Sequence, residues 1–465
     1  MSKMQKWAIT FAIGLIIWFI PVPAGLKPPA WKLFAIFVAT IAGFILQPMP
    51  IGGVALTAIG LTGLLGILKP AEILVGFGNT TMWLIVSAFL FAKGFIVTGL
   101  GRRIAYTVMA SIGDSSLKLA YAITLSDLIV SPATPSNTAR GGGIIFPIVL
   151  SLSKAFGSEP GPTAKKLGAF MMNSSFQANC ITSAMFITAV APNSLCVLLA
   201  SKAGINISWG TWALAAVVPG LIALAIAPYL VYKMSPPEIK HTPEAKEIAA
   251  REIAAMGPTK YTEKVVAGTF VLALIMWATA AMSGIDATVT AIFCVSVMLI
   301  LGAIEWKDVL DEKGAWDTLI WMGSLITLAG ALDKVGFIGW FAKLIGASMA
   351  GASWMMAIIV LFAVYLYSHY AFASLSAHVT AMYAAFLAVA IAAGAPPFMA
   401  AMGLGVISAF MGCLTHYATG PAPIYFGAGY VSQGEFWKIG FVMSIVNVIC
   451  FLVIGPIWWK LVGLW

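Results

Sequence analysis

Ser136, Asn137 and Thr138 lie in a polar run, Ser131-Pro132-Ala133-Thr134-Pro135-Ser136-Asn137-Thr138-Ala139-Arg140, set within a largely apolar chain. Ala377, His378 and Val379 lie in a second, Ser374-Leu375-Ser376-Ala377-His378-Val379-Thr380. Each run separates apolar stretches that are too short, as flanked, to be ordinary single spans. Two further breaks, Ala191-Pro192-Asn193 and Thr419-Gly420-Pro421, carry prolines that interrupt helices. At each break a following half-helix begins, with free N–H groups and about half a positive charge. Four such starts add to roughly two positive charges, which matches a dicarboxylate. Ser136, Asn137, Thr138, Asn193 and Thr419 supply neutral hydrogen-bond donors that orient carboxylates without a fixed countercharge.

The acidic inventory points the same way. Of 17 Asp and Glu residues, only Asp127 falls clearly within an apolar stretch, whereas Lys93, Arg140 and His378 all do. Cation and proton carriers depend on intramembrane carboxylates, so the site is expected to handle anions. Arg140 is expected to pair with Asp127 and staple the first break. His378 is expected against the second carboxylate of the ligand. His369, His378 and His416 lack an HExxH pattern or a carboxylate co-ligand, so no metal is expected. An intramembrane enzyme is the remote alternative, because Asp127 with His378 is the only candidate catalytic pair and no motif supports it. Five cysteines without CxxC spacing read as reduced packing residues.

These residues need membrane helices to position them. Hydrophobic residues make up 61% of the chain and charged residues 9%, against about 25% charged in soluble domains. The fold class expected is an all-α polytopic membrane protein embedded in a lipid bilayer. Apolar runs near 7–20, 31–47, 53–68, 80–98, 166–189, 209–233, 264–282, 286–304, 315–333, 397–414 and 437–458 supply eleven transmembrane helices. Segments 117–155 and 353–393 read as two re-entrant helical hairpins, because non-helical backbone at membrane depth must be buried or line a cavity. A cytoplasmic N-terminus places most Lys and Arg residues inside, including Arg102, Arg103 and the charged linker 234–263. The pI near 9.2 follows from this bias and calls for no nucleic acid partner. The order of features repeats around the linker, giving a first span at 1–30, a first repeat at 31–233 and a second at 264–465. The halves start from opposite sides, the arrangement of an inverted repeat with its site at the repeat interface.

Several motifs resemble the divalent-anion/sodium symporter (DASS) family. They are the two hairpin tips, the turn Gly99-Leu100-Gly101-Arg102-Arg103, Ala191-Pro192-Asn193, and Met411 through Pro421. The likeness covers essentially the whole chain. It is nearest the exchanger branch of bacterial citrate/succinate and tartrate/succinate antiporters and plastid 2-oxoglutarate/malate translocators. It implies a homodimer with an elevator-type motion, and substrate-binding residues at Ser136, Asn137, Thr138, Asn193, Ala377, His378, Val379, Thr419, Gly420 and Pro421. The first Ser-Asn-Thr signature of the family maps unchanged onto Ser136, Asn137 and Thr138, whereas the second maps onto Ala377, His378 and Val379. In sodium-coupled relatives both tips frame sodium sites. The altered second tip therefore favours sodium-independent exchange of succinate, malate, fumarate or 2-oxoglutarate, with no cofactor. A sodium-coupled dicarboxylate or citrate symporter, with sodium at the first tip, is the alternative. The location expected is a bacterial inner (cytoplasmic) membrane.

Overall fold

The computed structural model describes residues 1–337, 339–340, 344 and 353–465, and the second repeat's remaining positions lie outside the described residues. Those described are helical throughout apart from loops and one isolated bridge between Ser115 and His241. Among the described residues, eight helices are long and apolar enough to cross a membrane, and Ile51–Leu64, Ala287–Ile300 and Pro397–Cys413 are shorter apolar helices. The chain is a polytopic membrane protein.

Local chemistry sets the helix ends. Asn79 accepts the Met82 N–H at the start of Thr80–Thr98, and Gly99 closes that helix in the left-handed region at φ 82°. Ser208 caps Trp209–Met234 through the Thr211 N–H at 3.0 Å, and Pro219 and Pro228 interrupt its internal hydrogen bonding. This helix lays Ala216, Gly220 and Ala223 in its buried face beside Gly168–Met185. A Cβ at Gly220 would meet the Met185 side chain at 2.7 Å, so the small residue permits the close approach.

Gly168–Met185 is buried over its whole length. Its neighbours are Ser116–Val130, Phe146–Ala155, Trp209–Met234 and Pro397–Phe410. Shielded from lipid by protein, it carries Asn173, Ser174, Ser175, Gln177, Asn179, Thr182 and Ser183 at no cost in lipid exposure. It is accordingly absent from the eight apolar spans, although the sequence marks a span at 166–189.

The breaks depart from expectation in three ways. The two arms of the second interruption, Trp354–Ala371 and Leu375–Ala392, are each long enough to cross a bilayer, at 18 residues apiece. Only 372–374 separates them, because most of the polar run 374–380 lies inside the helix Leu375–Ala392. The break in the fifth expected span falls at Phe186–Val190, where extended residues flank a single turn, and not at Ala191-Pro192-Asn193. Pro192 occupies the first turn of Ala191–Lys202, the one place where a helix needs no proline N–H. The helix after Thr419-Gly420-Pro421 is only Ala422–Gly427, six residues, so its start contributes less field than a full half-helix. The linker 234–263 is also ordered. It contains the helix Glu244–Met256, which buries Ala245 and Ala249 and packs on Leu100–Ile112. Backbone bonds from Glu238 N–H to Lys165 O and from Thr242 N–H to Asp114 O, both 3.0 Å, tie it to the two ends of the first interruption.

Candidate functional site at four helix breaks

The four breaks meet at one cavity of about 290 Å3. The first tip lines it with Pro135 to Thr138 and the second with Ala373 to Ser376. The fifth-span break adds Val190 to Pro192, and the tenth adds Thr419 and Gly420. Phe89, Thr318 and Trp321, on Thr80–Thr98 and Lys313–Lys334, close the remaining wall. Ligand pockets begin near ~300 Å3, so the space suits a small molecule. No residue lining it is charged, and its polar groups are hydroxyls, one carboxamide, the Trp321 indole and backbone.

The two tips share a local construction. Ser136 Oγ accepts the Ala139 N–H at 3.1 Å, and Ser374 Oγ accepts the Ala377 N–H at 3.3 Å. Both are serines bonded to the amide three residues on, the geometry of a helix start. The structural counterpart of Ser136-Asn137-Thr138 is therefore Ser374-Leu375-Ser376, three residues earlier than the letter-by-letter alignment. The N–H groups of Asn137, Thr138, Leu375 and Ser376 have no acceptor among the described residues, and they are the orphan donors of each start. The side chains differ at the middle position. Asn137 donates its amide to Thr419 Oγ1 at 2.8 Å, whereas Leu375 offers no polar group.

Of the residues singled out from sequence, Ser136, Asn137, Thr138, Thr419 and Gly420 line the cavity. Asn193, Ala377, His378, Val379 and Pro421 are buried beside it and do not line it. Asn193 spends its amide on the Ser183 and Phe186 carbonyls, at 2.7 and 2.8 Å, and so ties off the fifth-span break. His378 turns away toward His369 and Ser368. His416 accepts the Trp437 indole N–H at 2.9 Å and is bound up in aromatic packing. No group of three or more His, Cys, Asp or Glu side chains suited to a metal occurs among the described residues. Lining residues absent from the binding set expected from sequence include Ser374, Ser376, Phe89, Thr318 and Trp321. The spacing hydroxyl-x-hydroxyl, common to Ser136/Thr138 and Ser374/Ser376, is the signal that could have found the first two.

Arg140 braces the cavity from behind. Its side chain is fully buried, and all five of its N–H groups have acceptors. Nε donates to Asp127 Oδ1 at 3.1 Å, and Nη1 donates to the Thr134 and Ala189 carbonyls at 3.0 and 2.8 Å. Nη2 reaches Thr182 Oγ1 and Ser183 Oγ at 3.2 and 3.0 Å. Asp127 also accepts from Asn179 Nδ2 at 3.1 Å and from the Thr182 hydroxyl. One guanidinium thus fixes the first tip to the fifth-span break. It does not line the cavity.

Gly420 marks where the first tip and the tenth-span break touch. A Cβ there would overlap Thr138 Oγ1. Gly420→Ala should push Thr138 off the wall and weaken ligand binding by about tenfold or more, as misplacing a charge-assisted hydrogen bond costs about 1.5–3 kcal/mol. Binding measured by calorimetry on the purified variant checks this, and an unchanged affinity would contradict the contact.

The whole chain, residues 1–465, matches the family model described as the sodium:sulfate symporter transmembrane region. A putative malate transporter of Bacillus subtilis, YflS, is 52% identical over 100% of this chain and 97% of its own length. Dicarboxylate transporter 1 of spinach chloroplasts is 47% identical over 100% of this chain and 82% of its own. Dicarboxylate transporter 2 of spinach chloroplasts is 41% identical over 100% and 83%. A match of this length and strength, together with broken helices meeting at an uncharged cavity, makes the chain a member of the sodium:sulfate symporter (DASS) family of membrane transporters and not an enzyme.

Proposed function

We propose that this protein exchanges C4 and C5 dicarboxylates, such as succinate, malate, fumarate and 2-oxoglutarate, across a bacterial inner membrane without sodium. The observation that carries the reading is the cavity wall itself. Two helix starts with open N–H groups face one small space, alongside Ser136, Asn137, Thr138, Ser374, Ser376 and Thr419. Neutral donors and helix starts bind carboxylates well, and a second carboxylate at the second tip balances the field of both. The relatives named as malate and dicarboxylate transporters agree with this substrate class. Leu375, standing where the first tip has Asn137, takes an amide oxygen from the second tip and removes the ligand set that a second sodium ion would use.

The same reading takes the chain as eleven spans and two re-entrant hairpins in an inverted repeat, with its N-terminus in the cytoplasm. It assembles as a homodimer and moves its cavity by an elevator motion. The interface between moving and fixed parts would pass through the cavity, with the tips and breaks on one side and Phe89, Thr318 and Trp321 on the other.

Counterflow in proteoliposomes tests substrate class. Vesicles loaded in turn with succinate, malate, fumarate, 2-oxoglutarate, citrate and tartrate are given labelled succinate or malate. C4 and C5 dicarboxylates should drive uptake, and none of them doing so would overturn the reading. Asn137→Ala should reduce affinity about ten- to a hundredfold, since the amide shares its wall with the ligand and each hydrogen bond to a charged group is worth about 1.5–3 kcal/mol. Folded Asn137→Ala protein that binds as wild type would remove Asn137 from the site.

A further inference from the structure

We propose that His369 and His378 are positioning residues, forming a one-directional hydrogen-bond relay from Ser368 to the Ala418 carbonyl that holds Thr419 at the cavity wall. His369 lies in the turn Ser368–Ala371, His378 in the first turns of Leu375–Ala392, and Ala418 in the break of the tenth expected span. The relay therefore joins the second tip to the segment that the first tip grips through Asn137.

Its direction follows from its end. A carbonyl oxygen can only accept, so His369 Nε2, 2.9 Å from Ala418 O, carries a hydrogen. In a neutral ring the Nδ1 of His369 is then a lone pair. His378 Nδ1 lies 3.0 Å from it and must donate. That leaves His378 Nε2 as an acceptor for the Ser368 hydroxyl at 3.2 Å, whose one hydrogen is shared with the Tyr365 carbonyl at 3.0 Å. Each donor polarises the next, so the three bonds support one another. The order requires opposite tautomers in adjacent rings: Nε2–H for His369 and Nδ1–H for His378.

The surroundings hold the rings in this register. Both histidines have 0% exposure. The ring of His378 packs against Phe372, at 4.5 Å and 11°, and against Tyr365, at 4.6 Å and 31°. Among the described residues no carboxylate, lysine or arginine is bonded to either ring. A neutral relay needs no such partner. Ala418 directly precedes Thr419, which lines the cavity and whose hydroxyl accepts from Asn137. Releasing Ala418 would free Thr419 to drift. This deepens the proposed dicarboxylate reading, on which its affinity arm rests.

Two measurements test the relay. The chain has 4 histidines, so selective 15N labelling in lipid nanodiscs gives a spectrum simple enough to assign with His241→Gln and His416→Gln. Wild-type protein should show His369 as the Nε2–H tautomer, His378 as the Nδ1–H tautomer, and a nitrogen–nitrogen coupling across the shared hydrogen. An Nε2–H tautomer at His378, or no coupling, overturns the relay. The second measurement is succinate affinity in paired variants. His369→Gln places an amide N–H where Nε2–H was, and His369→Phe keeps the ring without a donor. His369→Phe should bind about tenfold more weakly than wild type, while His369→Gln should stay within about threefold. Equal affinities for the two variants would overturn the positioning role. If wild-type protein binds no dicarboxylate at all, the proposed function falls, and the tautomer measurement still decides the relay.

Discussion

Arg140→Ala should destabilise the folded protein by about 3–5 kcal/mol, the penalty for breaking a buried ion pair and leaving one charge alone. The pair lies in a part of the protein with little means of compensation. Arg140 and Asp127 are both essentially unexposed, and among the described residues Asp127 would keep Asn179 and Thr182 as its donors. The Thr134 and Ala189 carbonyls would lose their Nη1 donor as well. Arg140→Lys should be nearly as damaging, because three donors on a flexible stem cannot reproduce five in a rigid fork. Thermal unfolding in detergent, followed by loss of monodisperse protein, measures the effect. A variant that melts with wild type would show that the network does not hold the first tip to the fifth-span break. Asp127→Leu combined with Arg140→Met removes both charges and should recover part of the loss, as replacing whole buried pairs commonly does.

Much of this architecture is legible in the sequence, for identifiable reasons. Apolar run length reports membrane helices directly, since a bilayer demands a fixed number of residues. The first tip is legible because proline, serine, asparagine and threonine cluster there between apolar runs, the set that marks turns and helix starts. The Asp127–Arg140 pairing follows from there being one acid and one nearby arginine within the apolar stretches of the first half.

The second tip is legible only in outline. Ser374-Leu375-Ser376 and Ala377-His378-Val379 are equally plausible starts by composition, and only the extended backbone of Ser374, with its bond to the Ala377 N–H, decides between them. The sequence assigns His378 to the ligand because of its place at the second tip, although a lone histidine in an apolar run is more often satisfied within the protein. The partner is His369, nine residues earlier, and nothing in the letters announces it. Phe89, Thr318 and Trp321 sit on unbroken helices and carry no polar punctuation, so their place at the cavity depends on tertiary packing alone. At the fifth-span break, Pro192 points to the first helical turn, and the break itself is built from the ordinary residues just before it.

Exchange in place of net uptake should separate loaded from empty vesicles by at least about a hundredfold in rate, if about 3 kcal/mol distinguishes the two return steps. The empty cavity holds helix starts at Thr138, Ala191 and Leu375, and no acidic side chain lines it. Each start carries about half a positive charge, which a bound dianion offsets. Without ligand that field must cross a low-dielectric barrier uncompensated, at a cost of several kcal/mol. With ligand the moving part is close to neutral. Leu375 leaves the second tip without the amide that could bring in a cation to alter the balance. On this account the loaded carrier crosses freely both ways and the empty one returns slowly.

The most direct test is uptake of labelled malate into proteoliposomes, with and without internal malate, in sodium-free and sodium-containing buffer. The account predicts rapid uptake into preloaded vesicles regardless of sodium, and almost none into empty ones. Strong uptake into empty vesicles driven by a sodium gradient would contradict it and make the protein a sodium-coupled symporter.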